Sequence, residues 1–218
     1  LDDFTLLSKN PQTIVDDIER IRERFNAHGL EIQPAKCEFF VQGLTPQEAV
    51  DSYDLVLETL PGCRWIANES EVELLGAPVF EVGVPLALAK KSAAYDIIFR
   101  RLAYVGCHVA TYILQRATGV PRLTYLMRTS PTFTAQESLT RIDGQFATAF
   151  ENILKISLTK DALTQLSLPT SFGGMGIPTP SSIATSAFAS SCYAASPYVR
   201  DILRDTSIDA HLVNAAVE

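Results

Sequence analysis

Between Asn10 and His28 the apolar residues Ile14, Ile18, Ile21 and Phe25 recur at steps of four, three and four, which predicts a helix with one buried face. Asn10 is a suitable cap, and Pro11 fits the first turn, where a missing N–H costs nothing. Gly29 ends the helix. Asp16 with Arg20, and Glu19 with Arg22, mark the opposite face as solvated. Strands are expected at Phe4 to Ser8 and, on either side of Pro34, Ala35 and Lys36, at Leu30 to Gln33 and Cys37 to Val41. Thr45, with Pro46 after it and Glu48 three residues on, forms a Thr-x-x-Glu capping box. The helix it opens should bury Ala49, Val50, Tyr53 and Leu57. From Glu71 to Val84 the pattern turns to strand, with Gly76-Ala77-Pro78 as the turn between Val72–Leu75 and Val79–Val82.

After Pro85 the character changes. Good helix formers fill the stretch from Leu86 to about Thr118, which lacks proline and has Gly106 as its weak point. Thr134 and Glu137 suggest another capping box, followed by Leu139, Ile142, Phe146, Ala149, Phe150 and Ile153 at helical spacing. The fold class is therefore α+β: a small mixed part, residues 1–84, and an almost wholly helical part, residues 85–218.

Composition adds constraints. At 218 residues and 47% hydrophobic content the chain can bury a real core, and 20% charged residues exclude global disorder. Cys37, Cys63, Cys107 and Cys192 form neither a CxxC pair nor a zinc spacing, so reduced thiols in an intracellular setting, cytoplasmic or nuclear, are expected. No apolar run approaches the ~20 residues that span a bilayer, so no membrane partner is expected. The net charge of −7 opposes non-specific nucleic-acid binding, which rests on neutralising phosphates. Any such contact needs a local basic cluster; Lys90-Lys91, Arg100-Arg101, Arg116 and Arg122 are the candidates for one on the helical part, and an ordinary mixed-charge helix surface explains them slightly better.

Candidate chemistry begins with Asp2-Asp3. Adjacent acids are common on surfaces, but a carboxylate pair in a tight turn also suits a hard divalent cation beside a substrate phosphate. The order of features behind the pair is more telling. Leu1-Asp2-Asp3-Phe4, an amphipathic helix, Gly29-Leu30-Glu31-Ile32-Gln33-Pro34-Ala35-Lys36-Cys37-Glu38, and then Leu74-Leu75-Gly76-Ala77-Pro78 resemble the second half of a reverse-transcriptase palm, closest to the non-LTR, LINE-like retrotransposon group. Leu166-Ser167-Leu168-Pro169 and Phe172-Gly173-Gly174-Met175-Gly176-Ile177 resemble, more loosely, a segment downstream of the polymerase in such elements.

The resemblance implies a partial reverse-transcriptase-like palm followed by a mainly helical thumb and connection region. It implies that Asp2 and Asp3 form a catalytic Mg²⁺ site, with Asp2 the better candidate for direct ligand and Asp3 a second ligand or a supporting charge, and that Lys36 contacts the incoming triphosphate or helps protonate pyrophosphate. It also implies that the Leu75-Gly76 turn supports the primer end. An exposed turn lysine explains Lys36 equally well, and an ordinary hairpin glycine explains Gly76. The partners implied are an RNA template, a DNA primer and an upstream polymerase region carrying the first catalytic aspartate and the fingers. Without that region the chain is expected to be inactive alone.

Other residues add little. Asp51, Asp54, Glu58, Glu69, Glu71 and Glu73 are explained by solvation. His28, His108 and His211 are isolated, and no zinc knuckle or endonuclease pattern is present. Gly173-Gly174-x-Gly176 is neither a dinucleotide fingerprint nor a Walker loop, and reads as a tight connection between helices. The competing class is a non-catalytic helical interaction protein or degenerate retroelement fragment, in which Asp2-Asp3 is incidental.

Overall fold

Asn10 caps the first helix as its position predicts, its side-chain oxygen accepting the N–H of Gln12 at 3.0 Å. The computed structural model describes residues 4–203, and in it this helix, α1, spans Pro11–Ala27. At its far end Gly29, with φ of +72°, lets the chain fold back, so that the N–H of Leu30 reaches Phe25 O and that of Gly29 reaches Asn26 O. This pair of bonds is a Schellman closure. Val15 and Ile18 are buried, while Ile14, Ile21 and Phe25 are half-buried.

The second helix, α2 (Pro46–Thr59), opens on the expected capping box: Thr45 Oγ1 accepts the N–H of Glu48, and the Glu48 carboxylate accepts the N–H of Thr45 at 2.9 Å. The Thr45 hydroxyl also donates to that carboxylate at 2.7 Å, and this bond, with the Thr45 N–H, holds the Glu48 carboxyl below its ordinary range. Its buried face differs from the expected one. Ala49 is buried as predicted, but Val50 is exposed, and Ser52 and Val56 point inward. Ser52 tolerates burial because its hydroxyl donates to Glu48 O at 2.6 Å.

Strand content here is smaller than expected. Two short parallel strands, β1 (Glu38–Phe39) and β2 (Arg64–Trp65), pair with Glu38 opposite Arg64 and Phe39 opposite Trp65. The strands expected at Phe4 to Ser8 and Leu30 to Gln33 are irregular chain. The N–H of Leu30 is used in closing α1, and Pro34–Lys36 is a 3₁₀ turn.

The chain divides between Val72 and Glu73 into two compact units, so residues 73–84 group with the helices that follow them. The second unit opens on a hairpin of β3 (Glu73–Leu74) and β4 (Ala77–Pro78). Its turn is Leu75-Gly76, with φ of +51° and +78°, the signs of a type I′ connection. Ala77 and Pro78, expected in the turn, lie in the strand instead.

Pro85 falls in the first turn of α3 (Val84–Leu102) and is accommodated there. The helical run expected up to about Thr118 is interrupted near Gly106, its weak point. After α3 the chain turns at residues 103–106, and Gly106 leads into α4 (Cys107–Ile113), which continues as a π turn over Leu114–Thr118. Then follow α5 (Pro121–Thr129), α6 (Gln136–Leu154), α7 (Lys160–Ser167) and α8 (Pro180–Leu203). On α6 all six residues predicted to face inward are buried. The box expected at Thr134 does not form, because the Thr134 hydroxyl donates to Pro131 O and the helix starts two residues later.

The core of this unit joins α3, α5 and α6 through Leu88, Tyr95, Leu123, Leu126, Met127, Leu139 and Ile142, all essentially inaccessible. Each such side chain contributes about 1.5–3 kcal/mol by leaving water. Tyr95, Phe99 and Phe146 cluster with ring centroids 5.0–5.2 Å apart. The Tyr95 hydroxyl donates to Gly119 O at 2.8 Å, which satisfies its one polar atom. The chain is thus mixed α and β, mostly helical, with two small sheets among the described residues. Among those residues no helix is long and apolar enough to cross a membrane.

Candidate functional site

The residues singled out by sequence fall in different places. Asp2 and Asp3 lie outside the described residues. Lys36 ends the 3₁₀ turn of the first unit, exposed and without an ion pair among the described residues. Leu75 and Gly76 form the hairpin tip of the second unit. The Leu75 side chain is 71% exposed, while its backbone carbonyl accepts the Tyr125 hydroxyl at 2.7 Å. Among the described residues no three His, Cys, Asp or Glu side chains gather as a metal site.

A groove of about 710 Å³ lies between α3 and α6. Its α3 wall carries Asp96, Phe99 and Arg100, with Tyr104 just beyond the helix; the α6 wall carries Arg141, Gln145, Thr148 and Asn152. Gly144 widens it, since a Cβ there would meet nothing within 4 Å. Gln145 fixes the spacing of the two helices. Its side-chain oxygen accepts from Ser92 Oγ at 3.0 Å, and its amide donates to Ser92 O at 3.2 Å and to Asp96 Oδ1 at 2.6 Å.

That last bond uses Oδ1 of the groove's single carboxylate. Arg100 and Arg141 are exposed and make no ion pair among the described residues. Two guanidinium forks, amide and hydroxyl donors at Asn152 and Thr148, and a Tyr104 ring that is 89% exposed together suit a phosphodiester backbone. In a chain of net charge −7 this is the kind of local cluster that binding would need.

The basic series read from sequence is only partly assembled. Of Lys90, Lys91, Arg100, Arg101, Arg116 and Arg122, Arg100 alone lines the groove, and Lys90 is paired with Glu73. Sequence reading missed Arg141. The signal was available in Arg141, Gln145, Thr148 and Asn152, which repeat at helical spacing along one flank of the apolar stripe of α6.

Two further features are structural. Asp143 accepts the backbone N–H of Ser181 at 3.2 Å and also the Ser181 hydroxyl, capping the start of α8 from a neighbouring helix. Burial pushes its carboxyl above the ordinary range, against the two hydrogen bonds that pull it down. The glycine-rich segment folds back onto the end of α7. The N–H groups of Gly174, Met175, Gly176 and Ile177 go to Pro169, Leu166, Leu168 and Leu166 carbonyls, so they are committed within the connection.

No family model, curated protein or solved structure matches the chain.

Proposed function

We propose that the chain is a portion of an RNA-directed DNA polymerase of the non-LTR, LINE-like kind, comprising part of the palm and the helical region after it. In this reading the α3–α6 groove grips the phosphodiester backbone of the template–primer duplex. The observation that carries it is the hairpin tip. The Leu-Gly pair that the resemblance links to primer support forms a two-residue turn with an exposed side chain and a carbonyl tied to α5.

In the intact enzyme Asp2 and Asp3 would hold Mg²⁺, which neutralises charge on the reacting phosphates when bound. A further carboxylate from a neighbouring strand is needed, so these two make an incomplete site. Lys36 would place a point charge near the triphosphate. The purified 218-residue chain, given Mg²⁺, primer, template and nucleotides, should incorporate none; robust incorporation contradicts this reading. In a longer polymerase containing the chain, Asp2→Asn with Asp3→Asn should abolish extension while leaving the fold intact.

A second reading, a non-catalytic helical interaction module, is favoured by Val105, Val109 and Tyr112, whose apolar side chains stand exposed at and just before α4. It predicts no salt-sensitive binding of a template–primer duplex.

A further inference from the structure

The β1–β2 pairing places two cysteines side by side. With Glu38 opposite Arg64 and Phe39 opposite Trp65 in parallel register, the preceding residues are Cys37 and Cys63. They stand at the entry to the ladder, whose first bond runs from the N–H of Arg64 to Cys37 O at 2.9 Å. Alternation along a strand then puts Cys37 with Phe39, and Cys63 with Trp65, on a common face. The contacts agree. Phe39 and Trp65 both pack on Tyr53, with ring centroids at 5.7 and 5.1 Å. Cys63 is buried in the cluster of Val15, Ile18, Val56 and Leu60, against which Cys37 also packs.

Neighbouring strands run about 4.7–4.9 Å apart, inside the Cα separation of about 4.4–6.8 Å that a disulfide spans. Both thiols are free. We propose that Cys37 and Cys63 are a thiol–disulfide exchange site that takes small-molecule disulfides such as oxidised glutathione and closes reversibly into a Cys37–Cys63 bond.

Cys37 is the entry point, being half-buried where Cys63 is buried. Its thiolate attacks one sulfur of the small disulfide, forming a mixed disulfide and expelling a thiolate, which takes up the proton Cys37 gave. Cys63 then loses its proton and attacks Cys37 Sγ. The Cys37–Cys63 bond forms, the mixed disulfide breaks, and the second small thiol leaves with that proton. The protein is oxidised by two electrons and one small disulfide is reduced to two thiols.

The sulfurs influence one another as neighbours should. Burial pushes the Cys63 thiol up to about 11, with the nearby Cys37 and Glu38 pushing the same way, and burial raises Cys37. The resting pair is therefore protonated at neutral pH and exchanges slowly. Strands are spaced somewhat wider than the ~3.5–4.5 Å Cβ separation a relaxed disulfide prefers, so the bond should be readily reduced.

The test is to incubate the purified full chain with oxidised glutathione, alkylate the remaining thiols, and map peptides without reduction, while far-UV circular dichroism follows the fold. The expected result is loss of the Cys37 and Cys63 thiols to alkylation and a peptide linking the two that reduction releases, whatever glutathione exposed Cys107 takes up. The Cys107→Ser, Cys192→Ser variant should give the same linked peptide, and Cys37→Ser should eliminate it. The proposal is overturned if Cys37 and Cys63 stay unlinked in folded chain while exposed Cys107 has formed a mixed disulfide. It is equally overturned if the link appears only in urea-unfolded chain.

Discussion

The Tyr125 hydroxyl donates to the backbone carbonyl of Leu75 at 2.7 Å, joining positions fifty residues apart and tying the hairpin tip to α5. Leu75 is a non-glycine residue at positive φ, a conformation that side chains with a Cβ adopt only under constraint. The bond helps hold it there. Tyr125→Phe should lower stability by only about 0.5–1.5 kcal/mol, because the tip is solvent-exposed. Hydrogen exchange at residues 74–77 should nevertheless accelerate clearly. Unchanged exchange would show that the tip is held by the turn alone.

Gly174 allows the chain to close against α7, since a Cβ there would lie 2.0 Å from Leu168 O and 2.6 Å from Gln165 O. Both atoms are backbone and cannot swing aside. Gly174→Ala should therefore destabilise the helical unit by about 2–3 kcal/mol, measured by urea unfolding. A change within error would mean that the connection rearranges freely.

Asp143 gives the helical unit a pH dependence of definite sign. Its folded pKa is raised, mainly by burial. Its contribution is thus fully present below the unfolded carboxyl pKa, about 3.9, and is lost as pH rises through the folded value. Asn keeps an acceptor for the Ser181 N–H without a charge to bury. The stability of Asp143→Asn relative to the parent chain should increase as pH rises from about 3.9 through the raised folded value. A difference that is flat with pH, or that shrinks, contradicts the burial argument.

Gly144 separates stability from binding. It sits inside α6 with open space where a Cβ would go. Gly144→Ala should raise helix stability by up to about 1 kcal/mol, seen as a higher unfolding midpoint. The same methyl narrows the groove, so duplex affinity should fall in parallel if the groove is the binding surface.

Elements whose physics is local could be read from the sequence. The six apolar residues of α6 share one face and all are buried, and Thr45 with Glu48 forms its box from four consecutive residues. Other features depend on distant partners. The β1–β2 pairing involves two residues per strand, and its second strand lies between Leu60 and Asn68, where no strand pattern stands out. The hairpin turn was displaced because its first central position holds Leu75 where such turns favour Asn, Asp or Gly. The helix break follows Ala103-Tyr104-Val105, which looks like continuing helix until Gly106.

The candidate site shows the same division. Arg100 was legible as part of a basic series, but its pairing with Arg141 arises from α3 packing on α6. A polar stripe on an amphipathic helix looks the same whether it faces bulk water or a groove. Asp2 and Asp3, on which the sequence resemblance leans most, lie outside the described residues, so their role is a matter for activity measurements.

The most direct test of the central claim is the affinity of the 218-residue chain for an RNA–DNA template–primer duplex, measured by fluorescence anisotropy across a salt series. The account predicts salt-dependent binding. The Arg100→Ala, Arg141→Ala variant should weaken it and reduce the slope of log affinity against log salt by about 2, one counterion for each arginine removed. Absence of binding at low salt, or binding whose strength and salt slope are unchanged in the double variant, would contradict it.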